Sequence, residues 1–142
     1  MRALLDVNVL IALLDASHVS HGEAMAWFSA HAHQGWASCA LTQNGCVRIM
    51  SGVSYPGARP ATVIGDRLRD ATMDASHAFW PDDVSILDAT IVDLARVHSP
   101  RHLTDVYLLA LAVRHGGRLV TFDRTIPRSA VPAARVEHLV VL

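Results

Sequence analysis

The sequence contains no lysine: all 12 basic side chains are arginines. This absence excludes P-loop nucleotide binding, Schiff-base chemistry and a lysine-assisted phosphoaspartate site, because each of them needs a lysine amine. Only two glutamates, Glu23 and Glu137, stand among the 13 acidic residues. The other acidic residues are aspartates, which suit helix caps, turns and metal ligation. The formal net charge of −1 provides no global positive field to attract a nucleic acid.

Cysteines and long apolar runs are also scarce. Cys39 and Cys46 cannot form a disulfide framework, so we expect two buried thiols in a reduced, cytoplasmic protein. No uninterrupted apolar run approaches the roughly 20 residues of a membrane span, and no membrane association is expected. The N-terminal stretch 1–15 is apolar, but three polar side chains interrupt it, which argues against a signal peptide.

The hydrophobic content is high enough for one folded domain over residues 1–142. Of these residues, 51% are hydrophobic and 18% are charged. A chain of this size buries about two-thirds of its surface on folding, so it can form a core without disulfide or metal cross-links. No repeat, low-complexity tract or linker divides the sequence.

Short apolar segments alternate with longer periodic ones along the chain. Strands are predicted at 3–6, 36–39, 84–87, 119–122 and 136–142. Helices are predicted at 7–14, 18–34, 42–50, 61–79, 89–97 and 103–115, and a loop at 51–60. This alternation predicts an α/β fold with a central, mainly parallel sheet flanked by helices on both faces. The aromatic side chains expected mostly in the core are Trp27, Phe28, Trp36, Phe79 and Trp80.

Three aspartates are predicted to meet at one edge of this sheet. Asp6 ends the first strand, Asp123 ends a later strand, and Asp105 lies in the first turn of the apolar helix 103–115. Ligands of open parallel sheets bind outside the carboxyl ends of the strands. Each aspartate also has a purely structural explanation. Asp6 could cap the helix that follows it, and Asp123 could begin an Asx-turn. Asp105 could complement the dipole of its helix, with Thr104 as the cap.

Three carboxylates at close range need a countercharge, because like charges raise one another's pKa. A divalent cation supplies that charge, and an all-oxygen ligand set with open positions suits Mg²⁺ or Mn²⁺. The chemistry that follows is metal-assisted hydrolysis of a phosphodiester bond. Zinc is not expected, because the histidine pairs His18/His21 and His31/His33 lack a pattern of cysteine or carboxylate partners.

Three segments cover the parts of the chain that carry this chemistry: LLDVNVLIALLD, LTQNGCVRIM and HLTDVYLLALAVRHGGRLVTFDR. Together they resemble the PIN-domain ribonucleases, specifically the VapC toxins of VapBC toxin–antitoxin modules. The resemblance implies a PIN fold, Mg²⁺-dependent endonucleolytic cleavage of RNA, a homodimer and a cognate VapB-type antitoxin of a type II system. It assigns Asp6, Asp105 and Asp123 to the acidic metal site, with Asn8 as the polar residue beside the first aspartate.

The middle segment departs from the pattern of that family. Many PIN domains place a glutamate in the helix after the second strand, where this chain offers Gln43 or Gly45. With one carboxylate fewer we expect a single Mg²⁺, and Gln43 is a candidate to orient a metal-bound water. Tyr55 either stacks on an unpaired base or packs within the loop. The full set of candidates for supporting the metal site or contacting RNA is Asn8, Thr42, Gln43, Arg48, Thr104, Thr121 and Arg124.

Two other functions remain open on the sequence alone. Because the glutamate is missing, the protein could be a catalytically weak or inactive PIN scaffold that binds RNA or a partner. Metal-independent binding of RNA without cleavage would identify this function. The strand followed by Asp6-Val7-Asn8 loosely resembles the nucleophile motif of haloacid-dehalogenase-like phosphatases. That motif needs a second aspartate where Asn8 stands and commonly a lysine, and phosphate transfer to Asp6 would be its signature.

Overall fold

The computed structural model describes all 142 residues. Its five strands are β1 (Ala3–Leu5), β2 (Trp36–Cys39), β3 (His77–Trp80), β4 (Arg118–Thr121) and β5 (Leu139–Val141). Its five α-helices are α1 (Val7–Leu14), α2 (His21–His31), α3 (Ala40–Met50), α4 (Ala61–Thr72) and α5 (Leu103–Arg114). None of these helices has both the length and the apolarity needed to traverse a bilayer.

The strands form one sheet in the order β3-β2-β1-β4-β5, with every neighbouring pair parallel. The chain builds outward from β1 through β2 to β3, then returns to add β4 and β5 on the other side. Leu5 of β1 therefore lies opposite Val120 of β4 at the point where the strand order reverses. Such a reversal opens a crevice beyond the carboxyl ends of the two central strands.

The two faces of the sheet carry two separate apolar clusters, because alternate side chains of a strand point to opposite faces. Leu4 and Leu119 pack with the buried side of α5, whose residues 108–112 are fully or almost fully buried. Leu5 and Val120 pack instead against α1, α3 and α4. The predicted α/β fold, with a parallel sheet covered by helices on both faces, is confirmed.

Three predicted elements differ from the structure between residues 61 and 97. Helix α4 ends at Thr72 rather than at 79, and the Asp74 carboxylate accepts a hydrogen bond from the Ser76 N–H (2.7 Å) in the turn that follows. The segment His77–Trp80 is β3, which pairs with β2. Residues 84–87 are irregular with a turn at 86–87 instead of the predicted strand, and 89–97 contain a single short 3₁₀ helix instead of an α-helix. A short apolar run does not distinguish a strand from a packed turn. Pairing with β2, rather than the local sequence pattern, therefore determines which residues of this region form the strand.

The predicted core is confirmed at most of the aromatic and cysteine positions. Trp36 and Trp80 are buried, Trp27 and Phe28 are half-buried, and both cysteines are buried free thiols. Phe79 is the exception, since 51% of it remains exposed on the edge strand β3. Its assignment to the core was wrong because it points to the face of β3 opposite to that of the buried Trp80 and belongs to neither apolar cluster.

Candidate active site

The reversal of strand order brings the first and last aspartates to one edge of the sheet. Asp6 follows β1 directly, and its backbone N–H donates to the Val120 carbonyl of β4 (3.0 Å). Asp123 stands two residues beyond the end of β4. Asp105 reaches the same edge from the first turn of α5. The negative charges of Asp6 and Asp123 both raise the pKa of Asp105, so the three aspartates act on one another through their charges, and we call them the acidic cluster.

Thr121 is the fully buried centre of the hydrogen-bond network around Asp6. Its hydroxyl donates to Asp6 Oδ2 (2.6 Å) and accepts from Asn8 Nδ2 (3.2 Å) and from the Asp123 backbone N–H (3.0 Å). The Val7 N–H donates to Asp6 Oδ1 (2.7 Å), which is the helix-capping role also expected of this residue. Asp6 is only 6% exposed, so this network sets the direction of its carboxylate.

Asp123 is oriented by the turn that follows β4. Its Oδ1 accepts from both the backbone N–H (2.7 Å) and the hydroxyl (2.6 Å) of Thr125, which is the expected Asx-turn. A ring nitrogen of His102, Nε2, lies 3.1 Å from the same Thr125 hydroxyl. The other ring nitrogen, Nδ1, is buried and has no hydrogen-bond partner. Sequence reasoning missed His102, because its link to Asp123 runs through a residue 23 positions away.

Burial and charge act differently on the three carboxylates. Burial, followed by the charges of Asp6 and Asp123, raises the pKa of Asp105 to about 6. Burial also raises the pKa of Asp6, although its hydrogen bonds to Thr121 and Val7 oppose that rise. The hydrogen bonds from Thr125 lower the pKa of the more exposed Asp123. Asp105 is therefore the carboxylate with the least compensation for its charge.

No cationic side chain forms an ion pair with this cluster, although the charge of His102 lowers the pKa of Asp105 and the charges of His102 and Arg101 lower that of Asp123, each as a minor cause. The ion pairs of the protein are Arg69–Asp66, Arg96–Asp93 and His115–Asp83, and none of them includes a site aspartate. No group of three or more His, Cys, Asp or Glu side chains is placed closely enough to hold a metal ion, so the protein has no complete metal cage. Mg²⁺ does not require such a cage, because it keeps several waters and binds through one or two carboxylates. The oxygen donors and the uncompensated charge of Asp105 fit an ion of that kind.

A cleft of about 500 Å³ opens beside Asp6 and Asp105. Helix α3 contributes one wall with Asn44, Gly45 and Arg48, and Thr104 lies at the start of α5. The structure places both Arg48 and Thr104 in the lining of this cleft. The expected capping of α5 by Thr104 was wrong, because the helix begins at Leu103 and no side chain caps it. Asn44 is an additional polar residue that sequence reasoning missed; the tertiary position of α3, rather than any local pattern, brings it here.

Two candidates on α3 do not belong to this cleft. Gln43 faces a neighbouring depression, and its amide donates to Ser38 Oγ (2.9 Å), so its assignment to a metal-bound water was wrong. Thr42 is completely buried and caps α3 through hydrogen bonds with the backbone of Cys39, so it cannot contact RNA. Gly45, the other position considered for the missing glutamate, lines the cleft. A Cβ at Gly45 would lie 2.8 Å from Val7 Cγ2, so α1 and α3 meet closely there.

The remaining candidates lie around the cleft. Asn8 lines it, and its Oδ1 accepts from the Phe122 N–H (3.3 Å), which ties α1 to the end of β4. Arg124 is exposed, forms no ion pair and lies outside the cleft lining, next to Asp123 in the chain. Tyr55 lines the cleft from the loop between α3 and α4. Its hydroxyl donates to Asp15 Oδ2 (2.5 Å).

Comparison with known proteins identifies the family. The model of the PIN domain family matches residues 3–131. The chain is 54% identical to Ribonuclease VapC44 of Mycobacterium tuberculosis over 142 residues, the full length of both proteins. It is 46% identical to Ribonuclease VapC39 of the same organism over 132 residues, or 92% of this chain and 94% of that protein.

Solved structures with low sequence identity share the fold. VapBC2 from Rickettsia felis, bound to a DNA fragment from its promoter, matches with a TM-score of 0.62 at 13% identity, covering 100% of this chain and 98% of that one. M. tuberculosis VapC20, a Sarcin-Ricin loop cleaving toxin, matches with a TM-score of 0.60 at 12% identity, covering 94% and 98%. The chain therefore belongs to the PIN-domain family and, within it, to the VapC type. The haloacid-dehalogenase alternative was wrong.

Proposed function

We propose that this protein is the endoribonuclease toxin of a type II toxin–antitoxin system and hydrolyses RNA phosphodiester bonds with the help of Mg²⁺. The observation that carries the proposal is the acidic cluster at the reversal of strand order, none of whose carboxylates forms an ion pair within the protein. Membership of the VapC type supports the same activity, as does 54% identity over the full length of a protein named as a ribonuclease.

Asp6, Asp105 and Asp123 would hold the metal, and Mn²⁺ is an acceptable substitute for Mg²⁺ at such an oxygen-donor site. When bound, the ion supplies charge neutralisation at the phosphodiester and activation of a water molecule. The protein keeps Asp6 oriented through Thr121 and keeps Asp123 oriented through its Asx-turn. Asp105, which no hydrogen bond restrains, contributes the carboxylate that gains most from a cation.

Binding of the RNA backbone falls to the exposed side of the cleft. Arg48 lines the same cleft as Asp6 and Asp105 and has no acidic partner, so its guanidinium is free to pair with a phosphate. Thr104 and Asn44 add uncharged hydrogen-bonding groups beside it. Arg124, which is exposed and follows Asp123 in the chain, is proposed as a further contact to phosphate. We assign the positioning of RNA to these residues and the metal to the aspartates.

Gly45 limits how many ions the site holds. It occupies the wall where a glutamate would face Asp6 and Asp105, and Val7 fills the space that its side chain would need. The site therefore offers three carboxylates, and we propose one Mg²⁺ rather than a two-metal clamp. The same feature favours the second candidate function, a PIN scaffold that binds RNA or a partner with little or no cleavage.

One cleavage assay separates these two functions. Wild type, Asp6→Asn and Asp105→Asn are incubated with a structured RNA and Mg²⁺, with Asp88→Asn as a surface control. We expect cleavage by wild type and the control, no cleavage by the two site variants, and no cleavage by any protein in EDTA. Equal cleavage by site variants and wild type would refute the metal-site assignment, and RNA binding without cleavage by wild type would establish the scaffold function.

The proposed partners are a VapB-type antitoxin and a second copy of this chain. The support for the antitoxin is the similarity in fold to VapBC2, a toxin–antitoxin pair. If a small open reading frame lies next to the gene, co-expression with it, followed by light scattering of the purified material, tests both partners. A complex containing two copies of this chain is expected, and a monomer that never binds the adjacent product would contradict the assignment.

A further inference from the structure

A second cleft adjoins the active-site cleft. It lies between the end of α1, the loop between α3 and α4, and the first turns of α4, with a volume of about 620 Å³. Tyr55 lines both clefts, so the two are joined at this side chain. Both volumes fall within the ~300–1,000 Å³ of clefts that hold small-molecule-sized groups, a range that includes a nucleotide.

We propose that the second cleft binds the single-stranded RNA that continues from the cleaved bond, with Arg59 and Arg67 on its phosphates and Tyr55 beneath a base. This inference rests on the proposed function, because the active-site cleft must hold the scissile phosphate. It extends that function by assigning a substrate-binding site and a path for the RNA strand away from the aspartates.

The two arginines lack partners within the protein. Both are exposed, both line the second cleft, and neither forms an ion pair or a side-chain hydrogen bond. Other exposed arginines, Arg69 and Arg96, are paired with Asp66 and Asp93. A free guanidinium forms two parallel hydrogen bonds to a phosphate, which makes arginine well suited to this ligand.

The carboxylate in the second cleft is already engaged. Asp15 accepts from the Tyr55 hydroxyl (2.5 Å) and from the Ser17 N–H (2.9 Å). These hydrogen bonds, Tyr55 first, lower its pKa, and the charge of Arg67 contributes less. With one carboxylate against two guanidinium groups, the charges lining this cleft are net positive. An anionic ligand therefore fits the cleft.

Tyr55 is held in a defined orientation at the junction. Its hydroxyl is bound to Asp15, its backbone N–H donates to the Gly52 carbonyl (2.9 Å), and its ring packs against the core between α1, α3 and α4. The partly buried side chain is also a lining residue of both clefts. An ordered aromatic ring beside arginines is the combination by which proteins hold unpaired RNA bases and their phosphates.

RNA fits this site better than an acidic protein segment does. The aspartates of the first cleft repel a polyanion, so the strand needs cations on the path that leads away from them. The second cleft places such cations next to the first, and Tyr55 offers a surface for a base. An acidic peptide would use the arginines but leave the aromatic junction without a role.

Binding of RNA to charge-matched variants tests the proposal. The probe is a fluorescein-labelled single-stranded RNA of about 20 nucleotides, longer than the ~4–16 nucleotides of typical single-strand sites. Anisotropy is measured in EDTA at several salt concentrations, so the metal-dependent reaction is off. The double variant Arg59→Gln/Arg67→Gln is compared with Arg69→Gln/Arg96→Gln, which removes the same charge elsewhere. Thermal unfolding of both variants checks that the fold is intact.

We expect the cleft variant to raise the Kd about 10-fold or more and to reduce the salt slope by roughly 1.4, or about 0.7 for each lost phosphate contact. The control variant should stay within about twofold of wild type. A cleft variant that binds like the control overturns the inference, as does a polyglutamate peptide that displaces RNA at equal charge concentration.

The two proposals fail in different ways. Wild-type protein that cleaves structured RNA with Mg²⁺, while the cleft variant binds and cleaves as well as the control, leaves the proposed function standing and removes the second site. Wild-type protein that neither cleaves nor binds RNA removes both. A lower cleavage rate of the cleft variant at low RNA concentration, restored at high RNA concentration, is the expected result and supports a binding role.

Discussion

Replacing Asp105 by asparagine should stabilise the metal-free protein at neutral pH. Burial and two neighbouring carboxylates raise the pKa of Asp105 to about 6, so its charged form is unfavourable in the folded protein. Asparagine has nearly the same shape and no charge. The variant therefore removes the repulsion while keeping the packing at the start of α5.

The pH dependence follows from the direction of this shift. A folded-state pKa above the unfolded value means that the folded protein holds the proton more tightly between pH 4 and pH 6, roughly. Stability is then highest below that range and falls as the pH rises through it. Each pKa unit corresponds to about 1.4 kcal/mol. Because the side chain is partly exposed and screened by solvent, we expect the asparagine variant to gain roughly 1 to 2 kcal/mol at pH 7.5 and nothing at pH 4.

Urea denaturation in EDTA at the two pH values measures this difference, with Asp88→Asn as the control. Asp88 is an exposed aspartate whose pKa is lowered by Thr90, so its replacement should not stabilise the protein. Added Mg²⁺ should raise the stability of wild type by mass action and leave the Asp105→Asn variant unchanged. An Asp105→Asn variant that is less stable than wild type at pH 7.5, or a difference that is the same at both pH values, would falsify the electrostatic argument.

Three further predictions concern neighbouring positions. Asp123→Asn should reduce the rate of Mg²⁺-dependent cleavage at least about 10-fold. The control Asp88→Asn, which alters an Asx-turn of the same type, should leave the rate unchanged. Equal cleavage rates for the two variants would contradict a metal role of Asp123. Gly45→Ala should lower the free energy of unfolding by about 1–3 kcal/mol despite the better helix propensity of alanine, because the new Cβ would crowd Val7. In a double-mutant cycle, Val7→Ala should recover part of that lost stability, and additive effects would exclude the contact. Thr121→Val should lower the free energy of unfolding by about 1–3 kcal/mol and weaken Mg²⁺ binding in a calorimetric titration, since it leaves Asp6 Oδ2 buried without its hydroxyl donor. Unchanged binding would show that this network does not orient the ligand.

The aspartates of the site could be located from the sequence because their positions depend on local pattern. A short apolar strand that ends in Asp6, a second that ends at Asp123, and an apolar helix with Asp105 in its first turn are each visible without knowledge of the fold. Parallel strands bring their carboxyl ends to one edge, which predicts Asp6 and Asp123 at that edge, and the start of the helix that precedes the second strand predicts Asp105 beside them. The structural roles of Asp6 and Asp123 were also predictable, since caps and Asx-turns involve residues close in the chain.

The rotation of α3 could not be read from the sequence. Gln43 and Gly45 are two residues apart and face different clefts, because close packing of the helix on α1 at Val7 decides which side of it faces Asp6. The strand at His77–Trp80 likewise depends on β2, its only partner in the sheet. Both outcomes depend on contacts between residues distant in the chain, which a local apolar pattern does not encode.

The sequence by itself therefore determined the α/β class of the fold, the buried helix α5 and the positions of the three aspartates beside two strand ends and a helix start, since each follows from short-range periodicity and chain direction. Only the tertiary structure decided that His102 reaches Asp123 through Thr125 and that Tyr55 joins two clefts. The physical reason is the same in both cases. Side chains meet across the sheet edge only after the elements pack, and the packing angles are set by the whole core.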